Sequence, residues 1–480
     1  MGKRWAISWT WARSRCDRRK YGKIEPEDAT TGATMSGINW DQAFEETVAH
    51  LRALVQFDTT NPPGRERPAA EYLAGVLARE GLEPLVLESA PERANLVVRL
   101  RGNGQEAPLL LLSHLDVVPA EADKWAYPPF SAAIADGYIW GRGTVDTKNL
   151  TAVELMVVLL LHRQGIPLKR DIILAACADE EEHGSKGLAW LVVNYPDLVR
   201  AEYAINEGGG VSLGLRGQTY FTCQTAEKGI CWLRLRASGQ AGHGAIPPEE
   251  NAVVALSEAV LKLGRTPLPV HLTRTTQRFI EGLARGQGRE TATLVRGLLD
   301  PAASAFLLRQ LPISPAWQRM IFGMLRNTAT PTILQAGRKV NVVPSTAEAL
   351  VDGRILPEQY PEQFLREVGE VVGPAVELQV EEYSPGLEAG PDTPLYRTIE
   401  AVLKEFEPQA ILLPMMVCGA TDARHLTPLG VTTYGFCPLR EEESISPLQL
   451  AHAHNERISL KNLRFSLQVL YEVVRRFCAG

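Results

Sequence analysis

The sequence predicts an α/β fold in which a mostly parallel sheet, sandwiched by helices, forms a main domain that a smaller α+β domain interrupts. Long apolar runs alternate with helical segments up to about residue 223, and the same texture returns from about residue 380. Strands of a parallel sheet are buried on both faces and therefore form continuous apolar runs. Between these two parts, strand-like segments alternate apolar and polar residues, as strands with one wet face do.

The main domain begins with an amphipathic helix soon after Met35 and continues as alternating strands and helices. We expect strands in ANLVVRL, PLLLLSHLDVV, RDIILAACAD and AEYAINEGGG. The segment NLTAVELMVVLLLHRQG predicts a helix that ends at Gly165, since glycine commonly follows a helix. After residue 380 the sheet continues in QAILLPMMVCGATDAR and VTTYGFCP, and LKNLRFSLQVLYEVVRRF predicts a last helix. The main domain therefore takes residues 35–223 and 380–480.

The interrupting domain covers residues 224–379. Its predicted elements are the strand GICWLRLRASG, the helix ENAVVALSEAVLKL, a strand pair in TILQAGRKVNVVPSTAEALVDGRI and the helix PEQFLREVGEVV. Within it, residues 275–330 are helix-rich and locally apolar, which predicts an extra helical insert. This insert is most simply additional core; an apolar entrance for a long acyl group, or a membrane-facing surface, is the less favoured interpretation.

Residues 1–34 precede the first predicted helix and are basic and rich in tryptophan. Their apolar stretch is poor and no small-residue cleavage site follows it, so a targeting signal is not favoured. We expect these residues to form a disordered extension.

The length and composition of the chain exclude several classes of function. The chain has 480 residues, enough for two domains or more, and its formal charge of -6 does not suggest a nucleic-acid partner. The 7 cysteines are scattered without a C-x-x-C pair, which indicates reduced side chains and a cytoplasmic location. Apolar runs are all much shorter than a bilayer requires, so we expect no transmembrane helix.

Several of the predicted strands end in residues that carry chemistry. The carboxyl ends of parallel strands meet at one edge of a sheet, where ligands bind. The strand-end residues are His114, Asp179, Glu180, Glu181, Glu182 and Glu207, and Asp146 lies in the glycine-rich segment WGRGTVDTKN between the first two strands. The C-terminal segment AHAHNERI adds His452 and His454.

Clustered carboxylates repel each other unless a cation neutralises them, and a set of histidines and carboxylates suits zinc or a similar divalent ion. Two ions that share one carboxylate would form a hydrolytic site. Asp116 suits the task of holding the His114 ring by accepting its other N–H. Taken alone, the DEEEH segment could equally be a solvated acidic turn that opens a helix.

Nine motifs occur in order from about residue 40 to the end of the chain: SHLDVVP, GRGTVDTK, ADEEEHG, INEGG, GHGAIPPEENAV, NVVP, DGR, GATDAR and HAHNE. Together they make the chain similar to the dinuclear zinc peptidase family of acetylornithine deacetylase, aminoacylase, carboxypeptidase G and carboxypeptidase S. The resemblance implies a catalytic main domain and an inserted lid or dimerisation domain.

The resemblance also implies a metal site. One ion would be held by His114, Asp146 and Glu207, and the other by Asp146, Glu181 and His452, so that Asp146 would bridge two divalent ions. Zinc is the expected ion and cobalt is the alternative. Glu180 would be the general base, Asp116 would support the site, and the Asp146–Thr147 peptide would be cis. A one-residue slip would instead make Glu181 the base and Glu182 the ligand, and His454 competes with His452.

Substrate recognition follows from the same resemblance. Arg354 and Asn341 match positions that hold a substrate carboxylate, and the planar fork of arginine suits that work. Gly419 and Thr421 would line the cleft. His243 would stabilise the oxyanion, in many relatives from a partner subunit, so the resemblance allows a homodimer without fixing it.

The predicted function is metal-dependent hydrolysis of the amide bond in an N-acyl amino acid or short peptide with a free carboxylate. An aminopeptidase or dipeptidase is the alternative within hydrolases, and the Arg354 clamp argues against an aminopeptidase. A binding module without metal is the alternative from another class. No nucleic acid or membrane partner is expected.

Overall fold

Helices and strands alternate along the part of the chain that the structure, a computed structural model, describes: residues 37–442 and 446–480. The extension predicted over residues 1–34 lies outside the described residues. The helices are α1 (Trp40–Gln56), α2 (Arg67–Arg79), α3 (Lys148–Gln164), α4 (Leu188–Asn194), α5 (Pro196–Val199), α6 (Ala252–Arg265), α7 (Arg274–Arg285), α8 (Arg289–Arg296), α9 (Ser304–Leu308), α10 (Pro315–Met324), α11 (Pro361–Val372), α12 (Pro394–Phe406), α13 (Ala423–Leu426), α14 (Pro447–Leu450) and α15 (Leu460–Cys478).

The strands of the described residues belong to four sheets. They are β1 (Leu85–Ala90), β2 (Arg93–Leu100), β3 (Leu109–His114), β4 (Ala133–Ala135), β5 (Tyr138–Trp140), β6 (Ile172–Cys177), β7 (Tyr203–Asn206), β8 (Ser212–Leu215), β9 (Gln218–Glu227), β10 (Gly229–Ser238), β11 (Gly242–His243), β12 (Thr328–Ala336), β13 (Val342–Val343), β14 (Thr346–Ile355), β15 (Glu377–Ser384), β16 (Leu387–Glu388), β17 (Ile411–Val417), β18 (Thr432–Gly435) and β19 (Arg457–Ser459).

Local sequence sets the ends of the helices. The Asn39 side chain accepts a hydrogen bond from Gln42 N at 3.2 Å, which caps the first turn of α1. Helix α3 ends at Gly165, whose backbone is left-handed with φ of 60°, as predicted. Residues Lys148–Leu161 of α3 are buried throughout, so this helix is central rather than peripheral.

A ten-stranded sheet forms the centre of the fold in the order β1-β2-β6-β3-β7-β18-β9-β16, with β8 and β17 also paired to β9. Strands β6, β3, β7 and β18 run parallel to one another, which confirms the predicted parallel sheet at its centre. Leu110 and Leu112 pack with Leu188 of α4. The alternate residues Leu109 and Leu111 are equally buried, and α3 contacts this strand, so helices cover both faces.

A separate four-stranded sheet has the order β12-β14-β10-β15 and is antiparallel throughout. Strand β14 alternates half-buried and buried residues along its whole length. The buried residues form a core with α6 and α11, and the other face carries polar side chains such as Trp232, Arg234 and Arg354. The alternation seen in the sequence therefore has the predicted cause: one covered face and one open face.

The helical segment α7–α10 packs against the ten-stranded sheet. Phe279, Ile280 and Leu283 of α7 form one core with Tyr220 of β9 and Leu413 of β17. The sequence assigned residues 275–330 to the inserted α+β domain as an extra insert. Its contacts place it beside β8, β9 and β17 instead, because this is where its apolar face finds apolar partners.

Within residues 37–442 and 446–480, the cysteines are free. Each helix of these residues is too short or too polar to cross a membrane.

Candidate metal centre

Three neighbouring parallel strands deliver ionisable residues to one edge of the ten-stranded sheet. His114 is the last residue of β3, Glu207 follows β7 directly, and Glu180 and Glu181 follow β6 after two residues. The order β6-β3-β7 places these strand ends side by side. The crevice at the carboxyl ends of parallel strands is the general ligand site of such sheets.

The strand ends, together with two loops, assemble two groups of potential metal ligands. Each group has its ligand atoms within 4.8 Å of one another. The groups are His114, Asp146 and Glu207, and Asp146, Glu181 and His452. They coincide with the ligand sets expected from the resemblance, and they share Asp146.

The two oxygens of Asp146 face different histidines. His114 Nε2 lies 3.1 Å from Asp146 Oδ1, and His452 Nε2 lies 3.1 Å from Asp146 Oδ2. His114 Nε2 is also 3.5 Å from Glu207 Oε1, and His452 Nε2 is 3.1 Å from Glu181 Oε2. This arrangement suits one carboxylate that bridges two ions.

Electrostatics show that the cluster needs positive charge. Burial alone would lower the pKa of His114, but Glu207, Asp116 and Asp146 raise it well above its usual range. Hydrogen bonds with Asp146 and Glu181 raise the pKa of His452 to about 10. Both shifts have the same cause, which is that the surrounding carboxylates favour a positive charge at this position.

The donor set fits divalent ions. Glu181 Oε1 is buried and has no hydrogen-bond partner in the described residues, so one ligand atom is left unsatisfied. Burial raises the pKa of both Glu181 and Glu207. A cation that displaced the histidine protons would satisfy these oxygens, and mixed histidine and carboxylate donors are typical of zinc.

Glu180 lies beside the ligand groups without belonging to either. Its backbone N–H and that of Glu181 donate to the two carboxylate oxygens of Asp116, each at 3.1 Å. Burial, together with the charge of Glu207, holds the pKa of the Glu180 carboxyl well above its usual range. Glu182 is exposed, and His454 pairs with Glu121 at 2.9 Å. The geometry therefore supports neither Glu182 nor His454 as a metal ligand.

The contact between Asp116 and His114 differs in detail from the expectation. His114 Nδ1 lies 3.0 Å from the backbone carbonyl of Asp116, while the Asp116 carboxylate is 3.6 Å away, too far for a hydrogen bond. The carboxylate instead accepts from Asn61 and from the backbone of Glu180 and Glu181. Asp116 thus orients the turn that carries these glutamates as well as the histidine ring.

Sequence reasoning missed Glu456, which holds the loop that carries Asp146. This fully buried carboxylate accepts from Val145 N at 2.7 Å, Asp146 N at 3.1 Å and Gly143 N at 3.1 Å, and pairs with Arg142 at 2.7 Å. The Asp146–Thr147 peptide in this loop is cis, as expected. The available signal was the glutamate in the motif HAHNE, four residues after His452.

A second missed group supports the strand ends. Asn61 donates to Asp116 at 2.9 Å and to Asp179 at 3.1 Å. Asp179 also pairs with the buried Arg93 at 2.7 Å, and Arg93 pairs with Glu66 at 2.6 Å. These residues come from elements far apart in the chain, and the sequence offers no pattern that joins them.

The predicted recognition residues are not all brought to the cluster. Arg354 lies on the open face of the four-stranded sheet and donates through Nε to Asp352 at 2.8 Å. His243 and Asn341 are exposed and adjacent, since β11 pairs with β13 and Gly244 N donates to Asn341 O. Among the described residues, neither of the two makes a hydrogen bond or ion pair with the metal ligands.

Gly419 and Thr421 lie in the loop after β17. Gly419 is half-buried, with space around its Cα. Thr421 donates from both N and Oγ1 to the buried Glu227, each at 2.7 Å, and Oγ1 also accepts from Asn206 at 3.0 Å. Thr421 therefore fixes the loop beside β7, the strand that precedes Glu207, and its predicted place in the lining of the cleft stays a prediction.

Fold and site together define a protein with two groups of candidate metal ligands, which share Asp146, at the edge of a parallel sheet. The profile of Peptidase family M20/M25/M40 matches residues 110–476, and the chain belongs to this family of metallopeptidases.

Individual relatives agree with this assignment. The chain is 30% identical over 383 residues to a probable carboxypeptidase S-like 2 of Dictyostelium discoideum, which covers 77% of this chain and 71% of the relative. It is 31% identical over 421 residues to the N-fatty-acyl-amino acid synthase/hydrolase PM20D1 of Xenopus tropicalis, which covers 85% of this chain and 80% of that one.

A solved structure shares the fold. The M20 family metallo-carboxypeptidase Sso-CP2 from Sulfolobus solfataricus superposes with a TM-score of 0.66 at 17% identity, covering 90% of this chain and 98% of that chain.

Proposed function

We propose that this hydrolase cleaves the amide bond of N-acyl amino acids or short peptides that carry a free carboxylate. The observation that carries the proposal is the pair of ligand groups that share Asp146, with the carboxyl of Glu180 beside them. The relative named N-fatty-acyl-amino acid synthase/hydrolase supports N-acyl amino acids as the leading class.

In this proposal His114, Asp146 and Glu207 hold one divalent ion, and Asp146, Glu181 and His452 hold the other. Zinc is the proposed ion and cobalt the alternative. When bound, such ions lower the pKa of a water molecule and stabilise negative charge on the carbonyl oxygen of a substrate. Glu180 accepts the proton of the water at a carboxylate oxygen and then donates it to the leaving amine. Asp116 holds the backbone of Glu180 in position for both transfers.

Arg354 and Gly419 are the proposed substrate contacts within the chain. Arg354 is held by Asp352 through Nε, so its terminal nitrogens are directed away from that bond and make no hydrogen bond in the described residues. A guanidinium presented in this way suits a carboxylate. This preference for an acid favours the proposal over an aminopeptidase, which needs an acidic pocket for an ammonium group.

We also propose that residues 224–379, apart from their helical segment, act as a lid and dimerisation domain, and that a second copy of the chain supplies His243 and Asn341. The exposure of both residues supports this. Strand β12 is an edge strand with Ile333 and Leu334 exposed, and open edges of this kind favour pairing with another chain. A cytoplasmic location remains a proposal that rests on the free cysteines.

Complementation tests the shared site. His243→Ala and Glu180→Gln chains, each inactive alone, are mixed after mild denaturation and refolding. Random pairing makes about half of the dimers mixed, and each mixed dimer has one site of two with both native residues. Activity should therefore return to about a quarter of the wild-type value. Light scattering gives the assembly state. A monomer with full activity would contradict the proposal.

The proposed reaction is tested by metal analysis of the purified chain together with a hydrolysis screen. The screen compares N-acyl amino acids of increasing acyl length with dipeptides, each with and without a chelator. Two metal equivalents and chelator-sensitive release of a free amino acid are the expected result. Protein that binds no added zinc or cobalt and cleaves none of these compounds would refute the proposal.

A further inference from the structure

Lys228 is a buried cation that lacks a counter-charge. Lys228 is only 1% exposed, and it lies where β9 of the ten-stranded sheet passes into β10 of the four-stranded sheet. The ammonium Nζ donates to the neutral Thr328 Oγ1 at 3.3 Å, and no ion pair forms with a carboxylate of the described residues. A buried charge without a partner is costly, so its retention needs a reason.

The ammonium lies on the same face of the small sheet as Arg354. Thr328 of β12 is directly opposite Arg354 of β14, and residues paired in this way project their side chains to one face. Lys228 Nζ, bonded to Thr328, therefore shares this face with the arginine. Ile230, two residues after Lys228, is the partner of Arg354 on its other side.

The shared face is turned toward the metal cluster. Trp232 lies on it, donates to Asp352 at 2.9 Å and packs on the ring of His183 with centroids 5.3 Å apart. His183 ends the turn that carries Glu180 and Glu181. The backbone N–H of Lys228 donates to Val417 O at 3.1 Å, next to the loop with Gly419. Lys228 thus lies between the loop that lines the site and the predicted clamp.

The local charges distinguish the two cations. Arg354 is paired with Asp352, so this pair is close to neutral. Lys228 carries the unbalanced charge, and burial lowers its pKa to about 8, which leaves the ammonium mostly protonated at neutral pH. The buried Arg326, whose guanidinium stacks on Phe322 at 3.8 Å, adds further positive potential nearby.

We propose that Lys228 binds the carboxylate of the substrate together with Arg354, and that its ammonium supplies the net positive charge behind the preference for an acid. This inference rests on the proposed function. Arg354 supplies directional hydrogen bonds, whereas Lys228 supplies the net charge that a carboxylate neutralises. The substrate class is therefore an anion at this position, and the corresponding carboxamide is a poor substrate.

The test compares Lys228→Met and Lys228→Arg in the metal-loaded full-length protein, with an N-acyl amino acid that wild type cleaves and its carboxamide as paired substrates. For Lys228→Met, kcat/KM for the acid should fall about 10- to 100-fold, mainly through KM, because a charged hydrogen bond is lost. The carboxamide should change less than about threefold, and Lys228→Arg should restore most of the activity on the acid. Equal losses on both substrates, or none on the acid, would overturn the proposal.

Thermal unfolding separates this role from a structural one. Removal of an unbalanced buried charge should raise the melting temperature of Lys228→Met, whereas loss of a structurally important bond to Thr328 would lower it. A lower melting temperature together with equal kinetic losses would assign Lys228 to the scaffold.

Binding measured by calorimetry distinguishes a failure of this inference from a failure of the proposed function. Metal-loaded Glu180→Gln protein, with and without Lys228→Met, is titrated with N-acetyl-leucine and with its carboxamide. Weaker binding of the acid alone in the double variant supports Lys228 even if wild type hydrolyses nothing, in which case only the proposed reaction fails. Unchanged binding of the acid, or no binding in either protein, overturns the role of Lys228.

Discussion

The predicted metal ligands lie at the edge of one sheet and contact each other directly, whereas the predicted recognition residues Arg354, His243 and Asn341 lie on a second sheet and on the exposed strand pair β11 and β13. His114, Asp146 and His452 are joined by distances of 3.1 Å. Arg354 and His243 make no such contact with the ligands in the described residues. One sheet edge therefore brings the candidate metal ligands together alone, while recognition, in our proposal, depends on a second sheet and on a second chain.

The strongest test of the first region is Asp146→Ala. Because Asp146 belongs to both ligand groups, its loss should remove both ions and abolish activity. Metal analysis after dialysis measures this, with the exposed Asp123→Ala as the matched control. Retention of one ion would show that Asp146 does not bridge.

Glu180→Gln should separate chemistry from metal binding within the same region. We expect about a 100- to 10,000-fold loss in kcat with both ions retained, since Glu180 lies outside both ligand groups and proton transfer contributes this much. The exposed neighbour Glu182→Gln is the control and also tests the register. If Glu182→Gln lost metal instead, the assignment would shift by one residue.

The second region is tested by Arg354→Met. Loss of the clamp should lower kcat/KM by about 100-fold for an N-acyl amino acid and by much less for its carboxamide, because only the acid uses the charged hydrogen bonds. The control is Arg236→Met, because Arg236 is exposed on the same sheet. Equal losses on acid and carboxamide would remove the functional distinction between the two regions.

The smallest expected effect is that of Glu456→Gln. Its backbone contacts hold Val145 and Asp146, so the variant should weaken metal affinity by about tenfold and leave substrate preference unchanged. Competition with a metal-binding dye gives the affinity, and Glu472→Gln is a buried control on α15. A change in the ratio of acid to carboxamide activity, with no change in affinity, would contradict this assignment.

The sequence supported the prediction of the parallel sheet and of the strand-end cluster because both depend on local patterns. The apolar run before His114 predicts a buried strand, and a polar residue at its end predicts a position at the sheet edge. Glu456 and Asn61 could not be predicted in the same way. Their partners are 310 and 55 residues away in the chain, and no periodicity links such positions.

By itself, the sequence determined which segments form strands and helices, which of them are buried on both faces, and which side chains lie at strand ends. These properties follow from the spacing of apolar residues and from the chemistry of single residues. Only the tertiary structure decided that α7–α10 pack on the ten-stranded sheet and that Lys228 lies unpaired on the face of Arg354. An apolar face requires burial without specifying its partner, and a buried charge is recognised as unpaired only when all its neighbours are known.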